Sequence, residues 1–188
     1  MIIGVTGHVA SGKTSFILRY AASFGREGLF VVVGSSSSSE QEAFEGERGF
    51  RWKTVKADML LPQVMDVINR ESNVFRADRR VVVVDGADRY FTAVHEQLSE
   101  QEDLSDEQYE QFMNEKRHLL QYAISSYQGK LFVVTGEPGT ITPFMTKRER
   151  CYHMQLAKFN RMLAEQSHQW FRMSAGLAHE VRANKFRG

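Results

Sequence analysis

The first fourteen residues constrain the fold more than any other stretch of the chain. Ile2, Ile3 and Val5 form a short apolar run with β-branched side chains, which reads as a buried strand. Gly7-x4-Gly12-Lys13-Thr14 follows at once, and Ser15 to Ala22 then suits a helix. Strand, glycine loop and helix in that order predict a loop that cradles phosphate.

Each position in the loop has a physical task. Gly7 and Gly12 let the chain turn without a Cβ in the way, so successive N–H groups converge on one anion. The helix that follows adds its positive end. The expected nucleotide-contacting set is therefore Gly7, His8, Val9, Ala10, Ser11, Gly12, Lys13, Thr14 and Ser15, with ATP or GTP as ligand. Lys13 is expected on the β/γ-phosphates, and the Thr14 hydroxyl on Mg²⁺. His8 is expected to act through its backbone or to be simply exposed.

A first helix is expected from Lys13 to about Phe24, closed by Gly25, with Phe16, Ile17, Tyr20, Ala21 and Phe24 on its apolar face. Leu29 to Val33 is apolar throughout, as in a strand covered on both faces. From Gly34 to Gly49 the composition changes, with five serines (Ser35 to Ser39) and then Glu40, Glu42, Glu45 and Glu47. This stretch reads as a solvated loop, or as a lid leaving the end of a strand. Phe50 to Val55 alternates and suits a short edge strand; Leu60 to Arg70 suits a helix.

Val81 to Val84 then ends in Asp85, the second half of the phosphate-loop pattern. Asp85 is expected at the strand's C-terminal end as a Mg²⁺ holder, with Asp88 a weaker candidate. Ser99 to Glu110 is acidic and reads as a loop entering a helix from Asp106 to Tyr127. Lys130 to Thr135 is a further buried strand, followed by a loop with glycine and proline stops from Gly136 to Pro143. Thr146 to Gln166 is helical, Trp170 to Met173 a last short strand, and a basic tail closes the chain. Strands alternating with helices imply a mainly parallel sheet flanked by helices in one domain, residues 1–188.

Composition removes several function classes. The net charge of +1 does not support a large nucleic-acid footprint. Cys151 is the only cysteine, so no internal disulfide forms and no zinc-type cysteine cluster exists. The apolar start is too short for a signal peptide or a membrane span, so a cytoplasmic protein without a membrane partner is expected.

Four segments in order resemble the adenosylcobinamide kinase / adenosylcobinamide-phosphate guanylyltransferase family of cobalamin biosynthesis. Thr6 to Thr14 is similar to its phosphate loop, and Arg48-Gly49-Phe50-Arg51-Trp52-Lys53-Thr54 to its Arg-x-x-x-Trp-x-Thr segment. Val133 to Gly139 keeps the glutamate and glycine of its Asn-Glu-Val-Gly loop, with Gly136 in place of the asparagine. Asn160-Arg161-Met162-Leu163-Ala164 with Ala175-Gly176 is similar to its closing segment. The resemblance implies an α/β P-loop NTPase fold of the RecA-like kind. It implies a kinase that moves the γ-phosphate of ATP or GTP to a hydroxyl of adenosylcobinamide or a similar acceptor. It also implies a homo-oligomer, a trimer in the family. The family's guanylylated histidine has no counterpart, since Glu42 to Glu47 contains none.

Within this reading Lys13 and Glu137 are the expected catalytic residues. Glu137 serves as a base, orders a water, or only caps its loop. Arg148 and Arg150 either reach phosphates or form a solvated face. A different class stays open: a nucleotide-binding switch or assembly module without cobinamide chemistry.

Overall fold

The computed structural model describes residues 1–34, 50–72 and 79–181. The serine and glutamate stretch, the first two residues of the Arg48 segment and the basic tail lie outside them. Among the described residues seven strands form one sheet: β1 (Ile2–Gly7), β2 (Glu27–Val33), β3 (Arg51–Ala57), β4 (Arg80–Asp85), β5 (Lys130–Val134), β6 (Gln169–Ser174) and β7 (Leu177–Glu180). Five helices among the described residues accompany it: α1 (Lys13–Ala22), α2 (Leu61–Glu71), α3 (Ala87–Ser99), α4 (Asp106–Ser125) and α5 (Lys147–Gln166).

The strand order is β3-β2-β4-β5-β1-β6-β7. All neighbours pair parallel except β6 and β7. Parallel pairing with helical crossovers puts apolar layers on both faces, which explains the unbroken valines of β4. One layer packs Met65 of α2, Tyr90 and Phe91 of α3, Met113 of α4 and Phe159 of α5 against Val82, Val84, Leu131 and Val133. The other sets Ile17, Leu18 and Ala21 of α1 against Val5, Val83, Phe132 and Val134.

Most expected elements appear within a residue or two. α1 stops at Ala22 rather than Phe24, yet Phe24 still meets the Phe132 ring edge-on at 5.5 Å. The edge strand expected from Phe50 to Val55 runs instead from Arg51 to Ala57 and pairs with β2. Two elements were not anticipated. α3 follows Asp85 after only Gly86, and its buried face is Tyr90, Phe91, Val94 and Leu98. β7 is short and exposed, and folds back on β6 through Ala175 and Gly176, both at positive φ. No described helix is long and apolar enough to cross a membrane.

Candidate nucleotide-binding site

The C-terminal ends of β1, β4 and β5 meet at one edge of the sheet, with β5 between the other two. β1 runs into the glycine loop. At Gly7 a Cβ would lie 2.5 Å from the Met173 carbonyl oxygen and 2.9 Å from Ser11 Oγ, so any larger residue would push the loop off β6. Gly12 caps α1 in the left-handed region (φ 86°) and no side chain caps the helix. The first-turn amides of α1 thus have no intrahelical acceptor, and they face an open cavity of about 500 Å³.

Seven of the nine expected loop residues, Val9 to Ser15, line that cavity, joined by Asp85, Gly86, Asp88 and Arg89. Gly7 lies beneath the loop at the end of β1, and the His8 side chain points outward at 79% exposure. Lys13 Nζ bends back over the loop and donates to the carbonyls of Gly7 (2.8 Å) and His8 (2.6 Å). Burial lowers the Lys13 pKa; the carboxylates of Asp88, Asp85 and Glu137 oppose this, Asp88 most.

Thr14 and Asp85 come together from 71 residues apart: the Thr14 hydroxyl donates to Asp85 Oδ1 at 3.1 Å. Asp85 is 1% exposed. Its other oxygen accepts from Arg89 Nη2 at 3.1 Å, one helical turn on. A buried carboxylate needs such partners, because its lost hydration must be replaced. The hydroxyl and carboxylate together offer hard oxygen donors. Among the described residues no cluster of three or more His, Cys, Asp or Glu could enclose a metal. Such a pair suits Mg²⁺ shared with phosphates and water better than a metal held by protein alone.

Glu137 lies just past β5, outside the residues that line the cavity. Arg172 of β6 grips it in a two-pronged ion pair, Nε to Oε1 at 2.7 Å and Nη2 to Oε2 at 3.1 Å. His8 Nε2 approaches the same carboxylate at 3.3 Å. The loop carrying Glu137 is pinned from α5: Asn160 Nδ2 donates to the Gly136 carbonyl at 2.8 Å, and buried Thr135 Oγ1 donates to Asn160 Oδ1 at 2.9 Å.

Arg148 does not reach the phosphate cavity. It bonds Asp106 at 3.3 Å and the Leu104 carbonyl, and lies over the Tyr109 ring. Arg150 is exposed. The sequence reading missed Arg89 and Arg172. Arg89 sits four residues after Asp85, a helical spacing that becomes visible only once α3 is recognised. No local signal marks Arg172.

A parallel sheet whose first strand ends in this loop, one strand away from a strand ending in a buried aspartate, defines a P-loop α/β protein of the RecA-like class. The model of the cobinamide kinase / cobinamide phosphate guanyltransferase family matches residues 3–181, and the chain belongs to that family. No curated protein matched the chain. The family is one of nucleotide-using enzymes of cobalamin biosynthesis.

Proposed function

We propose that this chain is a P-loop kinase that transfers the γ-phosphate of ATP or GTP to a hydroxyl of a cobinamide-like acceptor. The observation that carries the reading is the convergence of Lys13, Thr14 and Asp85 on one cavity at the amino end of α1. The loop amides and Lys13 bind the triphosphate, with Lys13 leaving the Gly7 and His8 carbonyls to do so. Thr14 and Asp85 would hold Mg²⁺, which would supply positive charge against the bound triphosphate. Such catalysis is chiefly positioning and charge neutralisation. Glu137, clasped by Arg172 and His8, orders the mouth of the loop. Residues 1–188 act as one nucleotide-binding domain.

The guanylyl step is not part of the proposal, because Glu42 to Glu47 offers no imidazole to form a phosphoramidate. That same absence favours a second reading, a nucleotide-binding module that has lost vitamin chemistry. Phosphoryl transfer from labelled ATP and GTP to cobinamide, with Lys13→Ala as control, tests the first. Label on cobinamide that vanishes in the variant supports it. Label that survives points away from this site. Thermal stabilisation by nucleotide, with no added effect of cobinamide and no transfer, supports the second reading.

A further inference from the structure

Three carboxylates act on the Lys13 ammonium: Asp88, Asp85 and Glu137. Two of them are committed. Asp85 has Thr14 on one oxygen and Arg89 on the other. Glu137 has Arg172 on both and His8 beside them. The Asp88 side chain makes no hydrogen bond or ion pair among the described residues, yet it lines the cavity with Lys13 and Thr14, where Glu137 does not. It is carried in the first turn of α3, on a rigid element rather than a loop.

The Asp88 carboxylate also lies close against Gly136. A Cβ at position 136 would lie 2.7 Å from Asp88 Oδ2 and 3.0 Å from its Cγ. Gly136 is not among the residues at positive φ, so its backbone conformation does not demand glycine. A Cβ there would meet the end of the Asp88 side chain and turn that carboxylate aside. The departure at 136 and the acid at 88 are two halves of one arrangement.

We propose that Asp88 is a catalytic residue that binds and orients the attacking hydroxyl of the phosphoryl acceptor, an alcohol, in the cavity it lines together with Lys13. This deepens the kinase reading and rests on it. The hydroxyl donates its hydrogen bond to Asp88 and turns a lone pair toward the γ-phosphorus. The new O–P bond forms as the bond to the β-phosphate oxygen breaks, and the nucleoside diphosphate leaves with that electron pair. The hydroxyl proton follows onto the Asp88 carboxylate and passes to solvent.

The test compares Asp88→Asn, Gly136→Ala and the double variant of the 188-residue chain, with cobinamide as acceptor and, separately, with water in nucleotide hydrolysis. Asp88→Asn is expected to lower kcat by about a hundredfold or more. The KM for nucleotide and the melting shift it induces should stay within about twofold, since the phosphate contacts are untouched. Gly136→Ala is expected to lower kcat by about tenfold by displacing the carboxylate, with no further loss when Asp88 is already Asn. Wild-type kcat in Asp88→Asn overturns the proposal. So does a loss that added Mg²⁺ restores, which would make Asp88 a metal holder, and so does simple multiplication of the two effects. If the wild type hydrolyses nucleotide but leaves cobinamide unmodified, the acceptor reading fails. The hydrolysis series then decides on Asp88 separately.

Discussion

Arg172 and Glu137 clasp each other across the end of β1, reaching from the strands on either side of it. Arg172 stands beside Thr6 in the β1–β6 pairing, and Glu137 leaves the end of β5, the other neighbour of β1. The phosphate loop therefore emerges beneath an ion pair, and His8 of the loop joins it at 3.3 Å. A carboxylate held this way is a brace for the loop. Glu137→Gln should keep kcat within about fivefold of wild type while weakening nucleotide affinity modestly. Steady-state kcat and KM for nucleotide check this. A hundredfold fall in kcat at unchanged KM would instead make Glu137 the base.

Lys13 contributes only two hydrogen bonds to its own loop carbonyls, so the fold does not depend on it. Lys13→Ala should melt close to the wild type without ligand, yet lose the stabilisation by nucleotide and about a hundredfold or more in phosphoryl transfer. Paired melting curves with and without the triphosphate separate these effects.

Asp85 and Thr14 should differ in what their loss costs. Removing the buried carboxylate takes from Arg89 its ion-pair partner at 3.1 Å, so Asp85→Ala should destabilise by about 3 kcal/mol, moderated because Arg89 is 32% exposed. Thr14→Ala removes one hydrogen bond, about 1 kcal/mol, and should chiefly raise the Mg²⁺ concentration needed for half-maximal activity. Urea unfolding and a Mg²⁺ titration read the two outcomes.

Asn160 holds the loop after β5 through Thr135 and the Gly136 carbonyl. Asn160→Ala removes both of these bonds and leaves the Thr135 hydroxyl only its longer bond to the Gly136 carbonyl, at 3.4 Å, at a cost of about 1–3 kcal/mol. Because Gly136 sets the space for Asp88, kcat should fall as well. Unfolding and turnover measured on the same preparation test the link.

Burial lowers the His95 pKa below its ordinary 6.5, with His153 and Arg148 adding to the fall and Glu149 and Glu96 opposing it. Its Nδ1 is paired with the Tyr109 hydroxyl at 2.6 Å between α3 and α4. The unfolded chain then binds this proton more readily than the folded one. His95 adds stability above pH 6.5 that is lost as pH falls through the lower folded value. Melting temperature should drop as pH falls below about 6.5, and His95→Gln should flatten that slope.

Local patterning carries far in this chain. Strand, loop and helix at the start are legible because the glycine spacing, the valine runs and the 3.6-residue stripes act over a few neighbours. Lys13, Thr14 and Asp85 could be picked out for that reason. α3 escaped because its apolar face begins immediately after the strand, with only Gly86 between them, and β7 because four exposed residues carry no burial pattern. The identity of the open carboxylate was beyond reach of the sequence. It depends on Arg172 lying 35 residues from Glu137 and on Gly136 yielding space to Asp88. The strand order β5-β1-β6 and the packing of α3 and α5 bring those groups together, and the energy of such contacts lies in through-space distances that chain spacing does not encode.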